Sequence, residues 1–119
     1  MADQVSKKSK TSKNNVKLYV NSILSDLNGD MKVELAEKYL TSDVIAVFKD
    51  QELKSSIDAF FQNNLNISET SRNSFMHRNT LLYRIDKIHK ITGLNIRNFT
   101  DAVNLLFLSL LYDKTKAIR

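Results

Sequence analysis

The chain has 119 residues and a net charge of +5, enough for one modest domain with a single hydrophobic core. It contains no cysteine, which excludes disulfide bonds and thiolate metal sites and fits a reducing compartment, so we predict a cytoplasmic location. With no proline and only two glycines it lacks the turn residues of a many-stranded β protein, and we predict an all-α fold.

The first half of the chain is predicted to be a basic arm followed by lead-in helices. Residues 1–15 are rich in Lys, Ser and Asn and hold little to bury, which predicts a disordered basic arm. Residues 16–49 form the helical lead-in, whose first helix has apolar residues at helical spacing and ends at Asn28-Gly29 as a left-handed cap. The apolar run at residues 44–48 fits either a helix or a strand.

The second half, residues 50–119, is predicted to be one compact helical module. Four helices are expected in it, with approximate bounds 50–63, 67–75, 77–92 and 100–114. Asp50 is a predicted N-cap, and Asn66 opens a run with the spacing of a capping box. Thr100 and Asp101 are the predicted cap of the last helix.

Charge is distributed unevenly between these two halves. Residues 16–65 carry five lysines against eight acidic residues, whereas residues 66–97 carry six lysines or arginines against two acidic residues. A basic face on an otherwise ordinary domain is typical of nucleic-acid-binding proteins, although unrelated surface charges produce the same pattern.

The helix predicted at residues 77–92 has two faces of different character. Its apolar residues gather in one arc, which must face the core: Leu81, Leu82, Ile85 and Ile88. The opposite arc and its flanks hold polar residues: Asn79, Thr80, Tyr83, Arg84, Asp86, Lys87 and Lys90. Arg, Asn, Thr and Tyr are the residue types that bind base edges and phosphates in the major groove. A solvent-exposed surface helix has a similar composition, so the pattern alone leaves both interpretations open.

Three runs of the sequence resemble the C-terminal helix-turn-helix domain of PucR-type regulators, bacterial transcription factors of purine catabolism and sugar-diacid use. The runs are N-I-S-E-T-S-R from Asn66, H-R-N-T-L-L-Y-R-I-D-K-I from His77 and T-G-L-N-I-R-N-F from Thr92. The resemblance implies a double-stranded DNA-binding transcriptional regulator that acts as a dimer. The predicted fold is therefore a helix-turn-helix bundle with a first helix at residues 68–75 and a recognition helix at 77–92.

The helix-turn-helix geometry and the resemblance together assign two sets of DNA-binding residues. Residues expected to contact bases lie in the first turn of the recognition helix: Arg78, Asn79 and Thr80. Residues expected beside the DNA backbone flank them: Ser68, Thr70, Arg72, His77, Tyr83, Arg84 and Lys87. Ser71 and Ser74 stand where the family usually has apolar residues, which predicts a less firmly packed first helix. Relatives usually carry a long sensing region, and we identify no small-molecule effector domain in this chain.

The last predicted helix is apolar around its whole circumference, so every side of it must be covered. A second subunit would cover one side, which makes four residues candidates for a dimer interface: Leu105, Phe107, Leu108 and Leu111. A dimer would bind a palindromic site with half-sites one helical turn apart. A central helix wrapped by the N-terminal helices explains the pattern equally well. An alternative function is a protein-interaction module that retains the helix-turn-helix fold and acts on a partner protein.

No catalytic or metal-binding constellation is found in the sequence. There are only two histidines, no cysteine and no Gly-rich phosphate loop, so we expect no enzymatic activity, no metal and no cofactor. The N-terminus lacks the pattern of a signal peptide and no apolar run is long enough to span a bilayer, so we expect no membrane partner.

Overall fold

The computed structural model describes the backbone of residues 15–116 and the side chains of residues 19–116, which form seven α-helices and no β-strand. The helices are α1 Asn15–Asp26, α2 Gly29–Tyr39, α3 Ser42–Lys49, α4 Gln51–Gln62, α5 Ile67–Asn73, α6 Arg78–Thr92 and α7 Phe99–Thr115. The predicted all-α fold is confirmed. All but the last residue of the predicted basic arm lies outside the described residues. None of the described helices is long and apolar enough to cross a membrane.

One hydrophobic core joins the lead-in helices to the rest of the molecule. Its buried residues come from five helices and two connecting segments: Ala36, Leu40, Val44, Val47, Phe48, Leu53, Ile57, Phe60, Leu81, Ile85, Ile88, Ile96, Ala102, Leu105 and Leu111. Residues 44–48, whose helical or extended state the sequence leaves open, are helical within α3. Residues 36–48 of the lead-in therefore share one core with residues 53–111.

The last helix, α7, packs against the N-terminal helices α1, α2 and α3. This is the central position that the sequence left open beside the second-subunit interpretation. Leu105 and Leu111 are fully buried in the chain's own core, so these two dimer-interface candidates are corrected to core residues. Phe107 and Leu108 remain partly exposed.

Short polar side chains fix where the helices begin. Asp50 caps α4, as predicted, by accepting hydrogen bonds from two backbone N–H groups of the first turn at 3.0 and 3.2 Å. Asn28 does not end α1 in a left-handed conformation; it caps α2 by accepting from the Met31 N–H at 2.8 Å. Asn98 caps α7 by accepting from the Asp101 N–H at 3.1 Å, two residues before the predicted cap.

Candidate nucleic-acid interface

Helices α5 and α6 and the turn between them form the predicted helix-turn-helix. Asn66 begins α5 by accepting a hydrogen bond from the Glu69 N–H at 2.8 Å, and α5 ends two residues earlier than predicted. The recognition helix follows the prediction closely, because His77 is its N-cap and Gly93, with a φ of 79°, is its left-handed C-cap. Local capping chemistry therefore sets both ends of the helix that would read DNA.

The turn between α5 and α6 is closed by a set of hydrogen bonds that form a Schellman motif. Ser74 is the C-cap of α5, and Phe75 follows it in the left-handed conformation with a φ of 52°. The Met76 N–H donates to the Ser71 carbonyl at 2.9 Å, and the Phe75 N–H donates to the Arg72 carbonyl at 3.3 Å. The Ser71 hydroxyl also donates to the Met76 carbonyl. Ser71, one of the two serines predicted to leave the first helix less firmly packed, thus fastens the turn.

The first turn of α6 is displayed on the surface beside the start of α5. Arg78, Asn79 and Thr80 are all exposed. The imidazole Nδ1 of His77 accepts from the Asn79 N–H at 3.0 Å, so His77 holds the end of the helix in place. The Arg78 guanidinium donates to the Ser68 hydroxyl at 3.4 Å, which brings the first turns of the two helices together. Five of the predicted site residues therefore share one surface.

Further along the two helices the surface carries exposed polar and cationic side chains. Arg72 on α5 and Tyr83 and Lys87 on α6 are exposed, and Lys87 forms no ion pair within residues 19–116. Lys90 lies one turn beyond, 3.0 Å from the Asp86 carboxylate. A hydrogen bond from Lys90 to Asp86 and the attraction between their charges raise the pKa of the Lys90 ammonium. Exposed ammonium and guanidinium groups of this kind can bind phosphate.

Thr70 and Arg84, two predicted DNA-backbone contacts, point into the protein instead. Thr70 is 0% exposed, and its hydroxyl donates to the Asn66 carbonyl at 2.6 Å. The Arg84 guanidinium lies 2.9 Å from the Glu52 carboxylate and donates to the Ser56 hydroxyl at 3.1 Å. Both expectations are corrected: Thr70 stabilises α5 from within, and Arg84 ties α6 to α4.

The sequence pattern does not indicate this tie, because Arg84 and Glu52 are 32 positions apart and no local pattern connects them. It also gave no sign that Phe75 would be 98% exposed. Within residues 15–116, no group of three or more His, Asp or Glu side chains could hold a metal ion.

Comparison with known proteins places this geometry in a family. The family model "PucR C-terminal helix-turn-helix domain" matches residues 53–111, which run from the first turn of α4 into α7. The carbohydrate diacid regulator of Escherichia coli (strain K12) is 39% identical over 64 residues, which cover 54% of this chain and 16% of that protein. The purine catabolism regulatory protein of Bacillus subtilis (strain 168) is 30% identical over 50 residues, 42% of this chain and 9% of that protein.

A third relative, the uncharacterized protein YxkF of Bacillus subtilis (strain 168), is 33% identical over 78 residues, 65% of this chain and 26% of that protein. The chain thus spans about a quarter or less of the length of these relatives. No solved structure matches the chain significantly. The match of residues 53–111, together with the capped recognition helix and its exposed first turn, shows that this part of the chain belongs to the PucR C-terminal helix-turn-helix domain family.

Proposed function

We propose that the protein is a sequence-specific, double-stranded DNA-binding transcriptional regulator that reads the major groove with the helix at residues 77–92. The observation that carries this proposal is the exposure of Arg78, Asn79 and Thr80 together at the start of α6. In helix-turn-helix proteins this end of the second helix enters the major groove. Two of the relatives are named as a regulator and a regulatory protein, which supports the same function. Such a regulator acts in the bacterial cytoplasm, where the DNA lies.

Each of the three side chains suits a different part of the groove. The Arg78 guanidinium can bridge O6 and N7 of guanine, and the Asn79 amide can bridge N6 and N7 of adenine. Thr80 can place its methyl group against a thymine or its hydroxyl on a phosphate. The bond from Arg78 to Ser68, at 3.4 Å, is long enough to be exchanged for a contact with DNA.

The DNA backbone would be bound by the exposed residues around this first turn. On α5 these are Ser68 and Arg72, and on α6 they are Tyr83 and Lys87. His77 supports them through its cap at the start of the helix. Phosphate contacts of this kind fix the register of the protein on the duplex and make its affinity fall with salt.

The protein is further proposed to act as a dimer on a palindromic site, with half-sites roughly 34 Å apart. Of the four predicted interface residues, Phe107 and Leu108 remain available. They line an apolar surface groove of about 600 Å³ between α2 and α7, together with Leu35, Tyr39 and Leu94. A mass of twice 13.7 kDa in sedimentation, lowered to a single chain by Leu108→Glu, would support this arrangement.

The DNA-binding proposal is tested by selecting bound sequences from a random duplex pool and then changing the proposed reading residues. Arg78→Ala combined with Asn79→Ala should weaken binding to the selected site by about 2–6 kcal/mol, because each good base contact contributes about 1–3 kcal/mol. Lys49→Ala combined with Gln51→Ala is the matched control. It also removes one cation and one side-chain amide, but from exposed positions at the junction of α3 and α4. Failure to select any preferred sequence, at low and at moderate salt, would reject the proposal.

A second candidate function is a protein-interaction module that retains the helix-turn-helix fold. It is favoured by a second apolar groove, of about 330 Å³, at which Phe99 is 76% exposed and Val103 is also exposed. The double change at Arg78 and Asn79 separates the two functions. Survival of the cellular function in that variant would favour the protein-interaction module.

A further inference from the structure

Phe75 is the most exposed large apolar side chain among residues 19–116, with 98% of its surface open to solvent. A ring in this position gains no burial when the chain folds, so it adds nothing to the hydrophobic stabilisation of the domain. The reason for a phenylalanine here therefore lies outside the chain's own core.

The backbone of Phe75 is also unfavourable for a phenylalanine. Its φ of 52° lies in the left-handed region, directly after the C-cap of α5, where glycine is the favoured residue because a Cβ crowds the backbone. Leu65 has a similar φ of 62°, but its side chain packs against the core, which offsets the cost. Phe75 has no such compensation, and residues held in costly conformations cluster at functional sites.

The turn holds Phe75 in a defined position. Two hydrogen bonds between Ser71 and Met76 close the turn around it. The Phe75 N–H itself donates to the Arg72 carbonyl. Phe75 precedes the capping residue His77 by two positions, so its exposed ring lies in the turn directly before the end of α6 that is proposed to enter the groove.

We propose that Phe75 makes an apolar contact with DNA, its ring packing against a thymine methyl group or a deoxyribose at the edge of the bound site. The inference rests on the proposed function, to which it adds a residue that neither the polar pattern of α6 nor the family resemblance assigns. Phenylalanine against a thymine methyl is a recognised contact of the major groove. Because the ring carries no charge, its contact releases no counterions from the DNA.

Phe75→Gly tests the proposal, because it removes the ring and relieves the left-handed backbone in one change. The melting temperature should stay the same or rise, while affinity for the selected site falls about 5–150-fold, the size of one good groove contact. Ile23→Ala is the matched control, since Ile23 on α1 is apolar and 63% exposed. It should leave the affinity unchanged.

Salt dependence distinguishes this contact from a phosphate contact. The factor by which Phe75→Gly lowers the affinity for DNA should be the same at every salt concentration. Lys87→Ala should instead reduce the slope of log affinity against log salt by about one. A loss in Phe75→Gly that disappears at high salt would overturn the proposal.

Replacing each thymine of the selected site by deoxyuridine distinguishes the two DNA partners, since deoxyuridine lacks only the methyl group. A position identifies a thymine methyl contact if its replacement lowers the affinity of the wild-type protein but not that of Phe75→Gly. If the ratio of the two proteins' affinities stays the same whichever thymine is replaced, the contact is with a deoxyribose.

The outcomes separate this inference from the proposed function. If the wild-type protein selects no DNA sequence, the proposed function itself fails. If the double variant at Arg78 and Asn79 loses binding but Phe75→Gly binds as the wild type does, the inference about Phe75 alone is overturned. A loss of affinity in Phe75→Gly that is matched by a loss of folded protein also overturns it, because the ring would then stabilise the fold.

Discussion

At the scale of single residues, the two serines of the helix-turn-helix have different roles. The Ser71 hydroxyl donates across the turn to the Met76 carbonyl, which adds to the backbone bond between the same two residues. Ser74 contributes its backbone as the C-cap of α5. The sequence predicted that both serines would loosen the first helix, but the contacts of Ser71 predict the opposite effect for that residue.

Ser71→Ala should therefore lower the free energy of unfolding by about 1 kcal/mol, the net contribution of one intramolecular hydrogen bond. Ser74→Ala, which leaves the backbone cap in place, should change it by less than about 0.5 kcal/mol. Urea unfolding of the two variants beside the wild type measures the difference. Equal effects of the two substitutions would show that the turn does not depend on the Ser71 hydroxyl.

At the scale of the elements, α6 is fixed to the rest of the molecule by its apolar arc and by one polar tie. Leu81, Ile85 and Ile88 are buried in the core. Arg84, only 19% exposed, reaches across to Glu52 and Ser56 on α4. This tie sets the orientation of the recognition helix, so Arg84 would influence DNA binding through position and not through contact.

Arg84→Met keeps most of the packing and removes the ion pair, so it should lower stability by about 1 kcal/mol. Ser56 still donates to the Glu52 carbonyl at 2.8 Å, so no buried hydroxyl loses its last partner. The salt slope of DNA binding should be unchanged, in contrast to Lys87→Met, which should reduce it by about one. A reduced slope in Arg84→Met would return Arg84 to the set of phosphate contacts.

Local signals allowed the sequence to predict the recognition helix almost completely. His77, Asn66 and Gly93 act on backbone groups within four positions of themselves, so their neighbours in the chain reveal their roles. Thr70 and Arg84 were misassigned because their surroundings depend on how α4, α5 and α6 pack. A helical wheel places a residue on a flank but does not show which neighbouring helix covers that flank.

At the scale of the whole molecule, helix α3 of the lead-in is part of the structural support for the recognition helix. Helix α3 packs against α4, α6 and α7, and its residues Val44, Val47 and Phe48 are buried. The family match begins only at residue 53, so most of this support lies before the part of the chain that the family model describes. The same arrangement places Leu105 and Leu111 in the interior, which their apolar character alone could not establish.

A fragment of residues 50–119 should therefore fail to fold on its own. Loss of Val44, Val47 and Phe48 removes about 5–9 kcal/mol of burial, which is comparable to the whole stability of a small domain, about 5–15 kcal/mol. Circular dichroism should show little helix and no cooperative melting. A chain that lacks residues 1–14 keeps every core residue named above and is the control. A cooperative transition in the shorter fragment would show that the lead-in helices are dispensable.

The closed turn between α5 and α6 also bears on the thermodynamics of association. Because its backbone is already held by hydrogen bonds between Ser71 and Met76, little chain entropy remains to be lost when the recognition helix docks. The heat-capacity change on DNA binding should then equal the value calculated for two rigid bodies, the protein and the DNA, from the surface that their contact removes from water. Titration calorimetry at several temperatures measures it, and a substantially more negative value would mean that part of the motif folds only on contact.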